Sequence, residues 1–284
     1  MFLGDQFKIK DLGLLNYFVG IELLYVDFGV LIHQRKFVSE LVAEYGYFDV
    51  SAVSSPLELC VLKSDVGALL PNPESYRSLV GKLDFLTHTK PDLCFAVQHL
   101  SQFLKSPRVP HMSFSLHVLR YLKGTPDVGV HLNGYSDFSV QAFCDSDWAS
   151  CPDSRKSVSE YRAMSRVVAE LAWLVRLLAD LGLQLSTSIP VFCDSLAALH
   201  IAKNPIFHER TKHIEVDCDF IRTKLADGLI FLHHVPTSSQ LADIFTRCIT
   251  GGQHMLLLGK LGVLPPSNLR GVSELPDLGL MLVG

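Results

Sequence analysis

The 284 residues contain no Cys-x-x-Cys pair, and the seven cysteines, at 60, 94, 144, 151, 193, 218 and 248, are scattered and odd in number. A zinc ribbon and a disulfide framework are both excluded by that arrangement, which reads instead as buried thiols in a reducing compartment. No apolar run approaches the length of a membrane helix, and the opening Met-Phe-Leu-Gly-Asp-Gln-Phe-Lys is too short an apolar stretch for a signal peptide. The expectation is a soluble intracellular protein, cytoplasmic or nuclear, with no membrane partner. Charge is also scarce. Only 19% of residues are charged against 48% hydrophobic, so a disordered or acidic-tail protein is excluded and a sizeable core is available. A basic surplus is missing too, since 25 Lys and Arg face 29 Asp and Glu for a net charge of −4. Phosphate binders usually carry the opposite balance. Locally the balance reverses: residues 77–123 hold seven Lys/Arg and four His against two Asp.

The first segment reads as a hairpin and a helix. Residues 16–26 are rich in Tyr, Phe, Val, Ile and Leu, Asp27-Phe28-Gly29 supplies a turn, and 30–33 return as a second strand. Phe37, Leu41, Val42 and Tyr45 recur at helical spacing up to Gly46. Residues 51–75 have weak periodicity and linker composition. Two or three helices are expected over 76–123, separated at Pro91 and at Pro107 and Pro110, with Gly124-Thr125-Pro126 closing the block.

From Ser139 the pattern carries chemistry. Residues 140–145 alternate like a strand and run into Asp145-Ser146-Asp147. A helix follows, with Ala163, Val167, Leu171, Leu174, Val175, Leu178 and Leu181 on one side and Gly182 near its end. A second short strand then runs over 189–194, so Phe-Cys-Asp-Ser occurs twice, at 143–146 and 192–195, each time between a strand and a helix. A strand, a helix and a strand in this order form a right-handed crossover with parallel strands about 4.8 Å apart. Asp145 and Asp194 then lie side by side at the carboxyl edge, where open α/β sheets bind ligands. Glu160 falls in the first turn of the crossover helix, which starts at that edge. Three converging carboxylates repel one another unless a cation sits between them, and Mg²⁺ or Mn²⁺ is the hard cation that suits oxygen donors. Each acid also has a structural explanation. Ser157 to Glu160 fits a capping box, Asp194 could cap a helix over 196–203, and Asp147 could cap its own turn.

The residues resemble the C-terminal part of a copia-type LTR retrotransposon Pol polyprotein, the end of its reverse transcriptase plus its ribonuclease H domain. The likeness is carried in order by Phe7 to Gly13, Tyr17 to Glu22, His33 to Phe37, Tyr76 to Leu83, Pro91 to Val97 and Leu119 to Thr125. It continues through Cys144 to Ala149, Glu160 to Met164, His208 to Arg222, Gln240 to Thr246 and Pro265 to Gly271. The resemblance implies an α/β chain whose ribonuclease H-like three-layer domain follows a reverse-transcriptase hairpin and a helical thumb or connection segment. It divides the chain into a palm remnant over 1–60, a helical segment over 61–135, a ribonuclease H-like domain over 136–250 and a tail over 251–284.

By that resemblance the catalytic, metal-holding carboxylates are Asp145, Glu160 and Asp194. The fourth falls on Glu215, with Asp217 as its rival. His208 and His213 could move protons or bind phosphate, or be structural. The implied chemistry is two-metal hydrolysis of RNA in an RNA–DNA hybrid, with the hybrid and intact Pol proteins as partners. Two departures bear on activity. The family's Tyr-x-Asp-Asp strand should precede Phe7, so DNA synthesis is not expected; Tyr25-Val26-Asp27-Phe28 comes after the Gly-Ile-Glu segment and lacks the second Asp. In addition, only fourteen residues lie between Asp145 and Glu160, where the family has two further strands needing about 15–25 residues. A truncated, three-stranded sheet with an open edge on its first strand is the expectation, with an exposed apolar face on the crossover helix and with weak or no hydrolysis. A noncatalytic nucleic-acid binder using residues 77–123, and a phosphotransferase with Asp145-Ser146-Asp147 as its nucleophile pair, are the other readings.

Overall fold

The computed structural model describes residues 13–26, 29–57, 66–134, 139–145, 160–183, 185, 188–203, 212–266 and 280–283. Of residues 160, 161, 201, 212–218, 264 and 280–283 it describes the backbone alone. Strands β1 (Tyr17–Phe18) and β2 (Ile21–Val26) are joined by Val19 and Gly20, at φ of 47° and 83°. That pair of left-handed residues makes the tight hairpin turn whose twist matches its strands. β3 (Gly29–His33) pairs antiparallel with β2 and with β4 (Gly129–Asn133). A side chain at Gly29 would meet the Leu132 carbonyl at 2.0 Å, so only glycine lets the two strands close there.

Helix α1 (Arg35–Glu44) ends before Gly46, at φ 68°. In α2 (Pro73–Leu86), Asn72 caps the Glu74 amide and Pro73 takes the first position, while Tyr76, Leu79, Val80, Leu83 and Leu86 recur at helical spacing and are buried. The linker expected over 51–75 therefore stops at Asn72, and Leu57 within it is buried in the core. A 3₁₀ turn at Pro91–Leu93 leads into α3 (Cys94–Ser101), and α4 (Val109–Gly124) follows. Pro110 does not separate helices as expected. It is the second residue of α4, where a missing amide proton leaves no helical bond unmade. One hydrophobic cluster from Val38 to Leu122 unites α1 to α4. Inside it the Tyr121 hydroxyl donates to buried Asp92 at 2.5 Å, and the Lys90 ammonium donates to the Thr125 carbonyl.

The second half contains β5 (Val140–Cys144), α5 (Glu160–Asp180), β6 (Ile189–Cys193), α6 (Leu196–Lys203), α7 (Lys212–Ala226) and β7 (Ile230–His234). β5, β6 and β7 are parallel, as the crossover argument requires. Met164, Val167, Val168 and Leu171 of α5 pack on Val140, Ala142, Val191 and Leu232. The apolar face of α5 is thus covered rather than exposed, and among its described residues and those just beyond it the large apolar side chains that reach solvent include Trp173, Leu177 and Leu181. After β7 come a 3₁₀ turn (Thr237–Ser239), α8 (Asp243–Thr246), α9 (Gly251–Lys260) and β8 (Val263–Leu264). These cover the opposite face, where Leu241, Ile244 and Leu257 meet Phe143. β8 then pairs with β4, giving a first sheet ordered β1-β2-β3-β4-β8.

The expected three-stranded sheet is corrected. Strand β9 (Leu280–Val283) lies parallel to β5, Val140 opposite Leu280 and Phe143 opposite Val283, so among the described residues the second sheet has four strands ordered β7-β6-β5-β9. An unpaired strand edge presents a row of free amides and carbonyls, and the apolar Leu-Met-Leu-Val segment satisfies it. Residues 146–159, where the two-strand deletion is expected, lie outside the described residues. Among the described residues no helix is long and apolar enough to cross a membrane.

Candidate active site

Phe143 stands opposite Phe192 and Cys144 opposite Cys193. Asp145 and Asp194, one residue further along each strand, therefore leave the sheet side by side at its carboxyl edge. Each carboxylate is held by a threonine from the segment after β7. The Thr246 hydroxyl donates to Asp145 Oδ2 at 2.8 Å, and the Thr237 hydroxyl donates to Asp194 Oδ2 at 3.1 Å. Asp194 does not cap α6. Ser195 does, its Oγ accepting from the Ala198 amide at 3.2 Å. Beneath the acids the Cys144 thiol is pushed well above its ordinary value by a hydrogen bond with Cys193, by burial and by the two aspartates. It is an inert core thiol.

The same segment delivers a third acid. Asp243 opens α8, is 4% exposed, and has its carboxyl pushed up to about 6. Burial is the main cause, the Arg247 guanidinium opposes it by hydrogen bond and charge, and Asp145 and Asp194 add repulsion. Arg247 donates to Asp243 Oδ1. Gln240 Nε2 donates to the Cys144 carbonyl at 3.0 Å, which anchors this segment to the end of β5.

The residues expected from the sequence are distributed as follows. Asp145 and Asp194 are brought together. Glu160 begins α5, whose following residues pack along β5, while Glu215, Asp217 and His213 lie in the first two turns of α7; their side chains are outside the described residues, as is all of His208. Asp243 is not among the expected acids. Asp145 and Asp194 follow their strands directly, whereas Asp243 comes nine residues after β7, so strand-end spacing does not reveal it. The available signal is Gln240-Leu241-Ala242-Asp243-Ile244-Phe245, an acid flanked by apolar residues just past the third parallel strand.

The two strand-end acids suit a hard divalent cation, because Asp145 and Asp194 supply only oxygen ligands and, with Asp243 nearby, excess negative charge. Arg247 offsets part of that charge through its pairing with Asp243. Among the described residues no three His, Cys, Asp or Glu side chains are gathered closely enough to hold an ion. Completing such a site therefore requires a further ligand, and Glu160 stands at the start of the helix that leaves this edge.

Compared with known proteins, the chain is 34% identical to the retrovirus-related Pol polyprotein from transposon RE2 of Arabidopsis thaliana, over 93% of this chain and 20% of that protein. It is 32% identical to that from transposon RE1 of the same plant, with the same coverage. An uncharacterized mitochondrial protein of Arabidopsis thaliana is 34% identical over 60% of this chain and 83% of its own length. The chain thus spans about a fifth of the transposon polyproteins it matches. The alignments to both run over 296 positions, more than the 284 residues of this chain, so those relatives carry residues with no counterpart here. No family model and no solved structure matches.

Proposed function

Since this chain belongs to the copia-type retrovirus-related Pol polyproteins of transposons, we propose that its second half is a ribonuclease H-like unit that hydrolyses the RNA strand of an RNA–DNA hybrid, slowly. The observation that carries this reading is the placement of Asp145 beside Asp194 at the carboxyl edge of a parallel sheet, with Asp243 near enough for their charges to oppose its ionisation. Asp145, Asp194 and Glu160 would hold Mg²⁺ or Mn²⁺, with Glu215, or its rival Asp217, as the fourth ligand and Asp243, paired with Arg247, as a neighbouring charge. The chemistry such ions supply when bound is activation of water and neutralisation of charge at the departing 3′ oxygen.

The chain's own residues set the geometry. Thr246 and Thr237 each occupy one oxygen of Asp145 and Asp194, which fixes the carboxylate planes and leaves the second oxygen of each for a ligand. Asp243 is held by Arg247 and takes up a proton below about pH 6. Substrate contacts would fall on phosphates and 2′-hydroxyls, which mark a hybrid without reading its sequence. Slowness follows from the fourteen-residue interval between Asp145 and Glu160. That interval is shorter than the about 15–25 residues two strands need, and a misplacement of the acids by about 1 Å would cost about 100-fold in rate.

The test is cleavage of a labelled RNA–DNA hybrid by the full chain with Mn²⁺ or Mg²⁺, beside Asp145→Asn/Asp194→Asn and Asp243→Asn. Slow cleavage lost in both variants is expected. Equal background from all three proteins, each shown folded by circular dichroism, would overturn the hydrolytic reading.

A further inference from the structure

The helical cover on the second face of the parallel sheet thins from β5 toward β7. Phe143, Phe192 and His233 sit in register on adjacent strands, and their rings stack, at 4.8 Å and 20° and then at 5.5 Å and 23°. Phe143 is buried under Leu241 and Leu257, Phe192 is half-buried, and His233 is exposed. Phe231, two residues earlier on the same face, is 40% exposed and stands edge-on to His233 at 4.6 Å and 76°. Among the described residues β7 is the last strand of its sheet. The ladder therefore ends at His233, with one ring face turned away from the neighbours that stack behind it.

A cation stands at the same edge. Exposed Lys203, at the end of α6, donates to the carbonyl of Leu232 at 3.3 Å, between Phe231 and His233 in the chain. An exposed phenylalanine on an edge strand invites aggregation, and polar residues are the ordinary choice there. Two aromatic rings backed by a third, with an ammonium that reaches the same strand from the helical face, match a nucleotide instead. The base has a π-face to stack and the phosphate has a charge to neutralise.

We propose that Phe231 and His233, backed by Phe192, form a stacking site for an unpaired base of single-stranded nucleic acid, with Lys203 facing its phosphate. The site adjoins the acids, since Phe192 lies two residues before Asp194 and Thr237, which holds Asp194, lies three residues after His234. It deepens the nucleic-acid reading above by naming where a single-stranded extension of the substrate would rest, but it needs no catalysis to be tested.

The experiment is fluorescence anisotropy of labelled octathymidylate and octauridylate with the full chain in EDTA, so that hydrolysis plays no part. Saturable binding of both is expected, since stacking does not read the 2′-hydroxyl. Phe231→Ala/His233→Ala should weaken it at least about 10-fold, given the usual worth of stacked bases. His233→Trp should strengthen binding and Lys203→Gln should reduce its salt dependence, neither of which a merely structural role would produce. Absent binding, or binding indifferent to these variants, overturns the proposal. So does self-association in light scattering that the double variant abolishes while oligonucleotides fail to bind, because the face then serves a second copy of the chain. Binding that survives when the hybrid-cleavage test fails would keep this site and remove only the hydrolysis.

Discussion

At Asp243 the folded chain works against ionisation. Its carboxyl sits at about 6 when folded, against about 4 for an aspartate in an unfolded chain. Between those values the folded state holds a proton that the unfolded state has released, so stability falls as pH rises through that interval and is level above it. The loss is at most roughly 3 kcal/mol for a two-unit displacement. Asp243→Asn should therefore flatten the pH dependence of the urea midpoint between pH 4 and 6, and it should leave the variant no less stable than the parent at pH 7. A steeper profile in the variant would refute this assignment of the charge. The same proton couples to any divalent cation at the site. Mn²⁺ affinity of the parent should rise from pH 5 to 7 and release a proton on binding, a dependence that Asp243→Asn removes.

At the scale of the element, the β1–β2 hairpin holds an unneeded strain. Val19 has φ 47° and is 67% exposed, so a β-branched residue occupies a left-handed position without gaining any core contact. Asparagine followed by glycine is the pair that such a turn favours. Val19→Asn should raise stability by about 1 kcal/mol in urea titration, with no gain from Val19→Ile. Local chemistry of this kind is also what made much of the fold readable. Alternation in 140–144 and 189–193, the repeated Phe-Cys-Asp-Ser, and the helical period after Ala163 were enough to place two parallel strands and to set Asp145 beside Asp194. What stayed hidden depends on distant partners. Leu280–Val283 is a four-residue apolar segment whose strand character is conferred by the bare edge of β5, about 140 residues earlier in the chain. Val263–Leu264 becomes a strand only because Gly129 and Val130 await it. Asp243 joins the acids through a 3₁₀ turn and a one-turn helix, connections that carry no period.

Across the whole molecule the two halves are interlocked. After forming the cover of the parallel sheet, the chain returns through β8 to pair with β4 in the first sheet. The third hydrophobic cluster joins Val128, just before β4, to Phe143 of the parallel sheet and to Leu257 and Val263. Removing either half would strip partners from the other, so the chain should unfold as one cooperative unit. Both tryptophans, Trp148 and Trp173, lie in the second half, while Tyr76 and Tyr121 are buried in the helical body of the first. Tryptophan fluorescence and near-ultraviolet tyrosine dichroism should consequently give one coincident urea transition. Val128→Ala, which opens a small cavity at the junction, should lower that shared midpoint by about 1–3 kcal/mol of stability without separating the two curves. Two transitions in the parent, or a Val128→Ala effect confined to one probe, would mean that the halves fold independently. The consequence reaches the candidate site. Thr246 and Thr237, which orient Asp145 and Asp194, belong to the segment that leads back to β4, so a junction loosened at Val128 should also loosen the acids. In the Val128→Ala chain, Mn²⁺ affinity should then fall along with stability, whereas a substitution on the exposed rim of α5, such as Trp173→Gln, should leave it unchanged.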